Sequence, residues 1–109
     1  MIGGNKLAII QTKTTSKNAF GEVENAWEDV VTIKGFIDYT GGDGSYKSNY
    51  KGAIEETTHL FICDYVAFEV TPTTCRLLCD DKTYDVLMID NPMDLNKHLE
   101  FFLKYNEVV

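Results

Sequence analysis

His59 and Cys63 stand four residues apart, and so do Cys75 and Cys79. On an extended strand such positions share a face, so one imidazole and three thiolates can in principle converge on a metal ion. Zinc pairs are more often set in C-x2-C spacing on a tight turn, and that spacing is absent. Burial as small hydrophobes suits the three cysteines better, and neither metal nor cofactor is expected. An odd thiol count points to free cysteines in a reducing compartment. Asp80, Asp81, Asp85, Asp90 and Asp94 form a second set of possible ligands. Calcium needs about six or more converging oxygens, whereas these acids fall on turns and an outward strand face. They read as a solvated edge that also discourages aggregation. His59, at a strand start, reads as structural rather than as an acid–base group. There is no G-x-S-x-G, Walker loop or H-E-x-x-H, and no enzyme is expected.

The remaining polar chemistry is gathered in Thr40-Gly41-Gly42-Asp43-Gly44-Ser45-Tyr46-Lys47-Ser48-Asn49-Tyr50-Lys51-Gly52, which holds four of the chain's eight glycines. Two Tyr-Lys pairs, Tyr46-Lys47 and Tyr50-Lys51, place cations beside stacking surfaces. The protein around them has a formal charge of −7. Gly41-Gly42-Asp43-Gly44 lacks the G-K-[ST] of a phosphate cradle, and strands rather than a strand and a helix flank it.

These residues must be carried by strands. Leu7 to Thr14 is rich in β-formers and is followed by a polar turn region from Thr15 to Asn18. Residues 22–31 are divided: Val23, Ala26, Trp27, Val30 and Val31 fall at helical spacing, while Val30-Val31-Thr32-Ile33 is β-branched. Val30 to Tyr39 reads as a strand, with Gly35 a bulge or bend. Leu60 to Cys63 is apolar on both faces, as in a closed barrel whose outside meets a neighbour. Residues 66–71 are mixed, with Pro72 ending any ladder. Cys75 to Cys79 and Tyr84 to Ile89 form a hairpin about Asp80-Asp81-Lys82-Thr83, with Tyr84, Val86 and Met88 on one face. Met93 to His98 allows at most a short helical turn, and Leu99 to Tyr105 is a last strand. The expected fold is all-β: a small antiparallel barrel of about six or seven strands. A long flexible loop, about residues 41–56, joins strands 2 and 3. Gly41, Gly42, Gly44 and Gly52 supply its flexibility, and long loops without periodicity are usually functional.

At 109 residues the chain reads as one domain, 1–109. No run of about 18 apolar residues is present, so no membrane span is expected. Met1 to Lys6 lacks a signal peptide's apolar core, which places synthesis and assembly in the cytosol. The acidic balance excludes a general nucleic-acid coat, though not a local basic patch. A small-barrel module for single-stranded nucleic acid is an alternative: the Tyr-Lys pairs favour it, and the net charge and a single arginine, Arg76, oppose it.

In order and spacing the chain resembles the phage head–tail joining family, the head-completion or stopper proteins of long-tailed bacteriophages and prophages. The residues carrying this are Gly21-Glu22-Val23, Trp27-Glu28-Asp29-Val30 and Thr32-Ile33-Lys34-Gly35-Phe36-Ile37, then the polar loop. After it come Thr57-Thr58-His59-Leu60-Phe61-Ile62, Lys82-Thr83-Tyr84-Asp85-Val86 and Asn96-Lys97-His98-Leu99-Glu100-Phe101. The match spans roughly residues 6 to 106. It departs at Cys63-Asp64-Tyr65, where arginine-tyrosine is common, and at Asp81-Lys82, where Asp-Gly is common. The resemblance implies a small barrel with a mobile loop and makes residues 22–31 a hairpin arm. It implies a structural virion protein, monomeric when isolated, that forms a ring beneath the portal and adaptor. There it closes the DNA channel after packaging and docks the tail. The loop then gates the channel, with Tyr46, Lys47, Tyr50 and Lys51 as its contacts to neighbours and, non-specifically, to packaged DNA. A tail terminator or minor tail protein is the nearest alternative.

Overall fold

The computed structural model of the chain describes residues 3–39, 57–71 and 74–106. They form six strands: β1 (Lys6–Lys17), β2 (Val23–Tyr39), β3 (His59–Asp64), β4 (Cys75–Cys79), β5 (Lys82–Asp90) and β6 (His98–Asn106). Every pairing is antiparallel, and the sheet runs β1-β2-β3-β6-β5-β4 before closing on β1 in a barrel-like ring. Closure removes the exposed edges that an open sheet of this size would present.

Strand alternation fills the interior. Ala8 and Ile10 of β1, Ile33 of β2, Phe61 and Cys63 of β3, Leu77 of β4, Val86 of β5 and Leu99, Phe101 and Leu103 of β6 share one core. Each large side chain buried there contributes about 1.5–3 kcal/mol relative to exposure. Residues 65–71 form no ladder. Val66, Phe68 and Val70 alternate inward and cover one side of that core, with Phe68 stacked on Phe101 at 6.1 Å.

β3 is apolar on both faces because both are covered. Its outward Leu60 is buried with Phe102 of β6, and Ile62 and Met88 pack against them. Met88 belongs to this outer cluster, not to the face of Tyr84 and Val86. The β5–β6 register shifts between Val86 and Met88, so Leu87 is an extra residue. One inserted residue reverses the facing of everything beyond it. Val86 therefore meets inward Leu103, while Met88 meets outward Phe102 and Ile89 meets inward Phe101.

A second irregularity lies between Ile10 and Gln11 of β1, opposite Val31 and Asp29. The bulge is thus at Val30 rather than Gly35. Gly35 has another reason to be glycine: it is packed backbone to backbone against β3, and a Cβ there would overlap the Ile62 carbonyl oxygen.

β1 runs through the polar stretch 15–17 instead of turning there, because those residues pair with Asn25, Glu24 and Val23. The β1–β2 pairing makes residues 23–31 strand, and Glu22 belongs to the turn. The actual turn lies at 18–22. Asn18 Oδ1 accepts hydrogen bonds from the Phe20 and Glu22 amides at 2.9 and 3.0 Å. Gly21 takes φ 78°, a left-handed value that suits glycine. The β4–β5 hairpin turns on Asp80 and Asp81 with φ 52° and 63°, the two positive values of a type I′ connection. Pro92–Asp94 is a single 3-10 turn before β6.

Candidate functional site

Tyr39 and His59 are cross-strand partners. The segment between them therefore leaves and returns at adjacent positions on one end of the barrel. The predicted loop residues Gly41, Gly42, Gly44, Tyr46, Lys47, Tyr50, Lys51 and Gly52 lie outside the described residues.

What is described is the rim that carries the segment. His59 lies 5.3 Å from Tyr39, 5.0 Å from Tyr84 and 6.2 Å from Tyr105, ring centre to ring centre. Tyr84 and Tyr105 are 5.6 Å apart. Such pairs each contribute about 0.5–1.5 kcal/mol beyond the area they bury. Burial, and then the charge of Lys82, push the His59 imidazole below its ordinary value, with Asp38 opposing. This favours the neutral ring, which packs as an aromatic among the three tyrosines. Thr58 fixes the backbone beside it. Its amide donates to the Leu103 carbonyl at 2.8 Å, its hydroxyl accepts from the Tyr105 amide at 2.7 Å, and that oxygen lies 2.9 Å from His59 Nδ1. The returning end of the loop is thus anchored by a stiff aromatic and hydrogen-bonded base. Sequence reasoning missed this rim. The signal available was that Tyr39, Tyr84 and Tyr105 each occupy a strand, but which strand ends meet was not visible.

The cysteines belong to the core. Cys63 lies on β3, with β6 and β5 between it and the β4 pair Cys75 and Cys79, and all three are buried free thiols. Among the described residues no group of three or more His, Cys, Asp or Glu is placed to hold a metal. Burial, helped by the Asp64 charge, raises the Cys63 thiol to about 11 from 9.0. Burial alone raises Cys75 to about 11. A thiol raised in the folded state leaves it holding the proton longer than the unfolded chain does. Its stabilising contribution is full below pH 9 and is lost as the pH rises toward 11. Urea midpoints measured at steps across this window are therefore expected to fall, and native thiols at pH 8 to react slowly with a disulfide reagent. A midpoint flat across the window in wild type contradicts the placement.

The acids are spread out. Asp80 and Asp81 lie just before one end of β5 and Asp90 at the other, about 30 Å away at strand rise. Asp80 pairs with Lys6 at 2.6 Å, and Asp85 accepts from Asn106 Nδ2 at 3.4 Å.

The other conspicuous feature is an arm. β4 pairs with β1 only as far as Thr12, and β3 pairs with β2 only from Gly35 onward. Residues 13–17 and 23–28 therefore project as a two-stranded ribbon, about 17–20 Å long at strand rise. At its base Arg76 stacks over Trp27 at 4.1 Å. Arg76 Nε donates to Gln11 Oε1 at 2.9 Å, and Gln11 Nε2 donates to Asp29 Oδ1 at 2.6 Å. At its tip Phe20 is 87% exposed. An exposed aromatic on a projecting element, with a Trp–Arg stack behind it, is the composition of a protein-contacting surface.

The described residues define a small all-β protein, a barrel-like closed sheet from which one two-stranded arm projects. Among the described residues no helix is long and apolar enough to cross a membrane. Residues 4–105 match the family of the phage head completion protein, and the chain belongs to that family. It is a structural component of the phage virion that interacts with other head and tail proteins. No curated protein matches the chain.

Proposed function

We propose that the chain, folded as one domain over residues 1–109, closes the phage head after DNA packaging. It assembles in the bacterial cytoplasm as a ring beneath the portal and adaptor, having been monomeric beforehand. The ring blocks the channel and offers its far side to the tail. The observation that carries this reading is the rim. A long segment whose two ends are tied side by side at one barrel end can be directed into a channel without disturbing the barrel. Tyr46, Lys47, Tyr50 and Lys51 then supply packing surfaces and local cations where acidic barrels meet packaged DNA, with no base recognition required. Glycines 41, 42, 44 and 52 let the segment order only when copies meet, which couples closure to assembly.

Imaging of necks isolated from DNA-filled particles tests the placement. The expected result is a ring of this chain, identified by a C-terminal tag, directly below the adaptor. A chain absent from the neck, or present there without rotational symmetry, overturns the reading.

A further inference from the structure

The β1–β2 register divides the arm into two faces of opposite charge. Lys13 is level with Trp27, Thr15 with Asn25, and Lys17 with Val23, and these six residues share the face that continues the barrel exterior. The opposite face carries Glu28 level with Thr12, Ala26 level with Thr14, and Glu24 level with Ser16. All the charged members are exposed. Ion pairs among the described residues, Lys6–Asp80 and His98–Glu100, lie elsewhere. The lysine face also exposes Val23 at 66% and Trp27 at 38%. A two-stranded ribbon is marginal in water without something packed on it.

We propose that the arm is the self-docking element of the ring: the Lys13 and Lys17 face of one copy seats on the Glu24 and Glu28 face of the next. This rests on the ring reading above. The spacings match. Lys13 to Lys17 and Glu24 to Glu28 are each four residues, about 13 Å of strand. The order along the arm matches as well. Lys13 and Glu28 lie near the base, Lys17 and Glu24 near the tip, and each level differs by a single residue. Arms pointing the same way and stacked about 10 Å apart, as sheets stack, bring Lys13 over Glu28 and Lys17 over Glu24. Donor and acceptor faces sit on opposite sides of one element, so the contact is head-to-tail. Such a contact repeats with one operator, which gives a ring where the rotation closes. A two-fold dimer would set like faces together and oppose lysine with lysine.

Ring formation by the full chain on purified portal–adaptor complexes, counted by electron microscopy against protein concentration, tests this. Three variants are compared with wild type: Lys13→Glu with Lys17→Glu, Glu24→Lys with Glu28→Lys, and all four changes together. All the changes are on exposed residues, and circular dichroism checks the fold of each. Each double reversal is expected to raise the concentration for half-assembly about tenfold or more, because like charges are then juxtaposed at every contact. The fourfold swap restores complementarity and is expected to return it to within about threefold of wild type, with binding weakened by salt. Wild-type rings that both reversals leave intact, or a swap that fails to restore them, overturn the docking mode while leaving the ring standing. A reversal that instead blocks attachment of the first copy assigns the face to another virion protein and also overturns it. Wild type that forms no ring overturns both readings.

Discussion

Particles built with a chain lacking residues 43–52 are expected to fill with DNA and then lose it. The ring should still form, because the deletion leaves the barrel alone. Tyr39 and His59 are direct cross-strand partners, neighbours about 5 Å apart, and the residues that remain between them easily bridge that gap. The rim stays intact as well: Thr58 keeps its bonds to Leu103 and Tyr105, and His59 keeps its three tyrosine neighbours. What the deletion removes is Tyr46, Lys47, Tyr50 and Lys51, together with the reach of the segment. Counting full and empty heads by microscopy, with DNase protection of the packaged genome as a second measure, should show most heads emptied although packaging proceeds. Retention at the wild-type level eliminates the gate, whether or not the ring is seen. Replacing Lys47 and Lys51 by alanine separates two contributions. Mechanical closure survives that change, whereas closure that depends on cations at the DNA does not.

The largest effect on folding is expected at Gly35. A Cβ there would overlap the Ile62 carbonyl oxygen and stand 2.9 Å from the Ile62 carbonyl carbon and 3.0 Å from Cys63 Cβ. The first two are backbone atoms of β3, so no side-chain rotation relieves the clash. Gly4 also packs closely here, since its own Cβ would overlap the Gly35 backbone. β2 cannot shift sideways without parting from Cys63 and Ile62, its ladder partners at this point. Gly35→Ala should therefore destabilise the fold by about 3 kcal/mol or more, at the upper end of overpacking effects, and Gly35→Val should not fold. Gly21→Ala is the control. Its Cβ meets nothing within 4 Å, and only the left-handed φ opposes it, at about 1–2 kcal/mol. Urea denaturation of both variants gives the comparison. Equal midpoints for Gly35→Ala and wild type rule out the close approach of β2 to β3.

These predictions draw unequally on sequence. The β4–β5 hairpin was legible because its determinants are local: two runs of β-formers and an Asp80-Asp81 turn that tolerates positive φ. The apolar strand 60–63 was legible for a similar reason, since residues apolar on both faces require cover on both. Residues 22–31 were not. Val23, Ala26, Trp27, Val30 and Val31 suit either a helix or a strand, and their state is decided by pairing with Ile10 to Lys17, which lie on the other side of the turn. The exposure of Val23 and Trp27 makes the point physically. These are not core residues of a helix but one face of a ribbon, and a periodicity count cannot tell the two apart.

Composition, alternation and turn chemistry by themselves determined an all-β chain, its β4–β5 hairpin, its buried thiols and the place of the glycine-rich segment between β2 and β3, because each depends on neighbours a few residues away. Only the tertiary structure decided that Leu87 turns Met88 outward, that Gly35 is a close approach rather than a bulge, and that His59 is walled by three tyrosines. It alone set the lysines and glutamates of the arm on opposite faces. Each of these follows from which residue lies across the sheet, and strand pairing over tens of residues is fixed by the closure of the whole barrel.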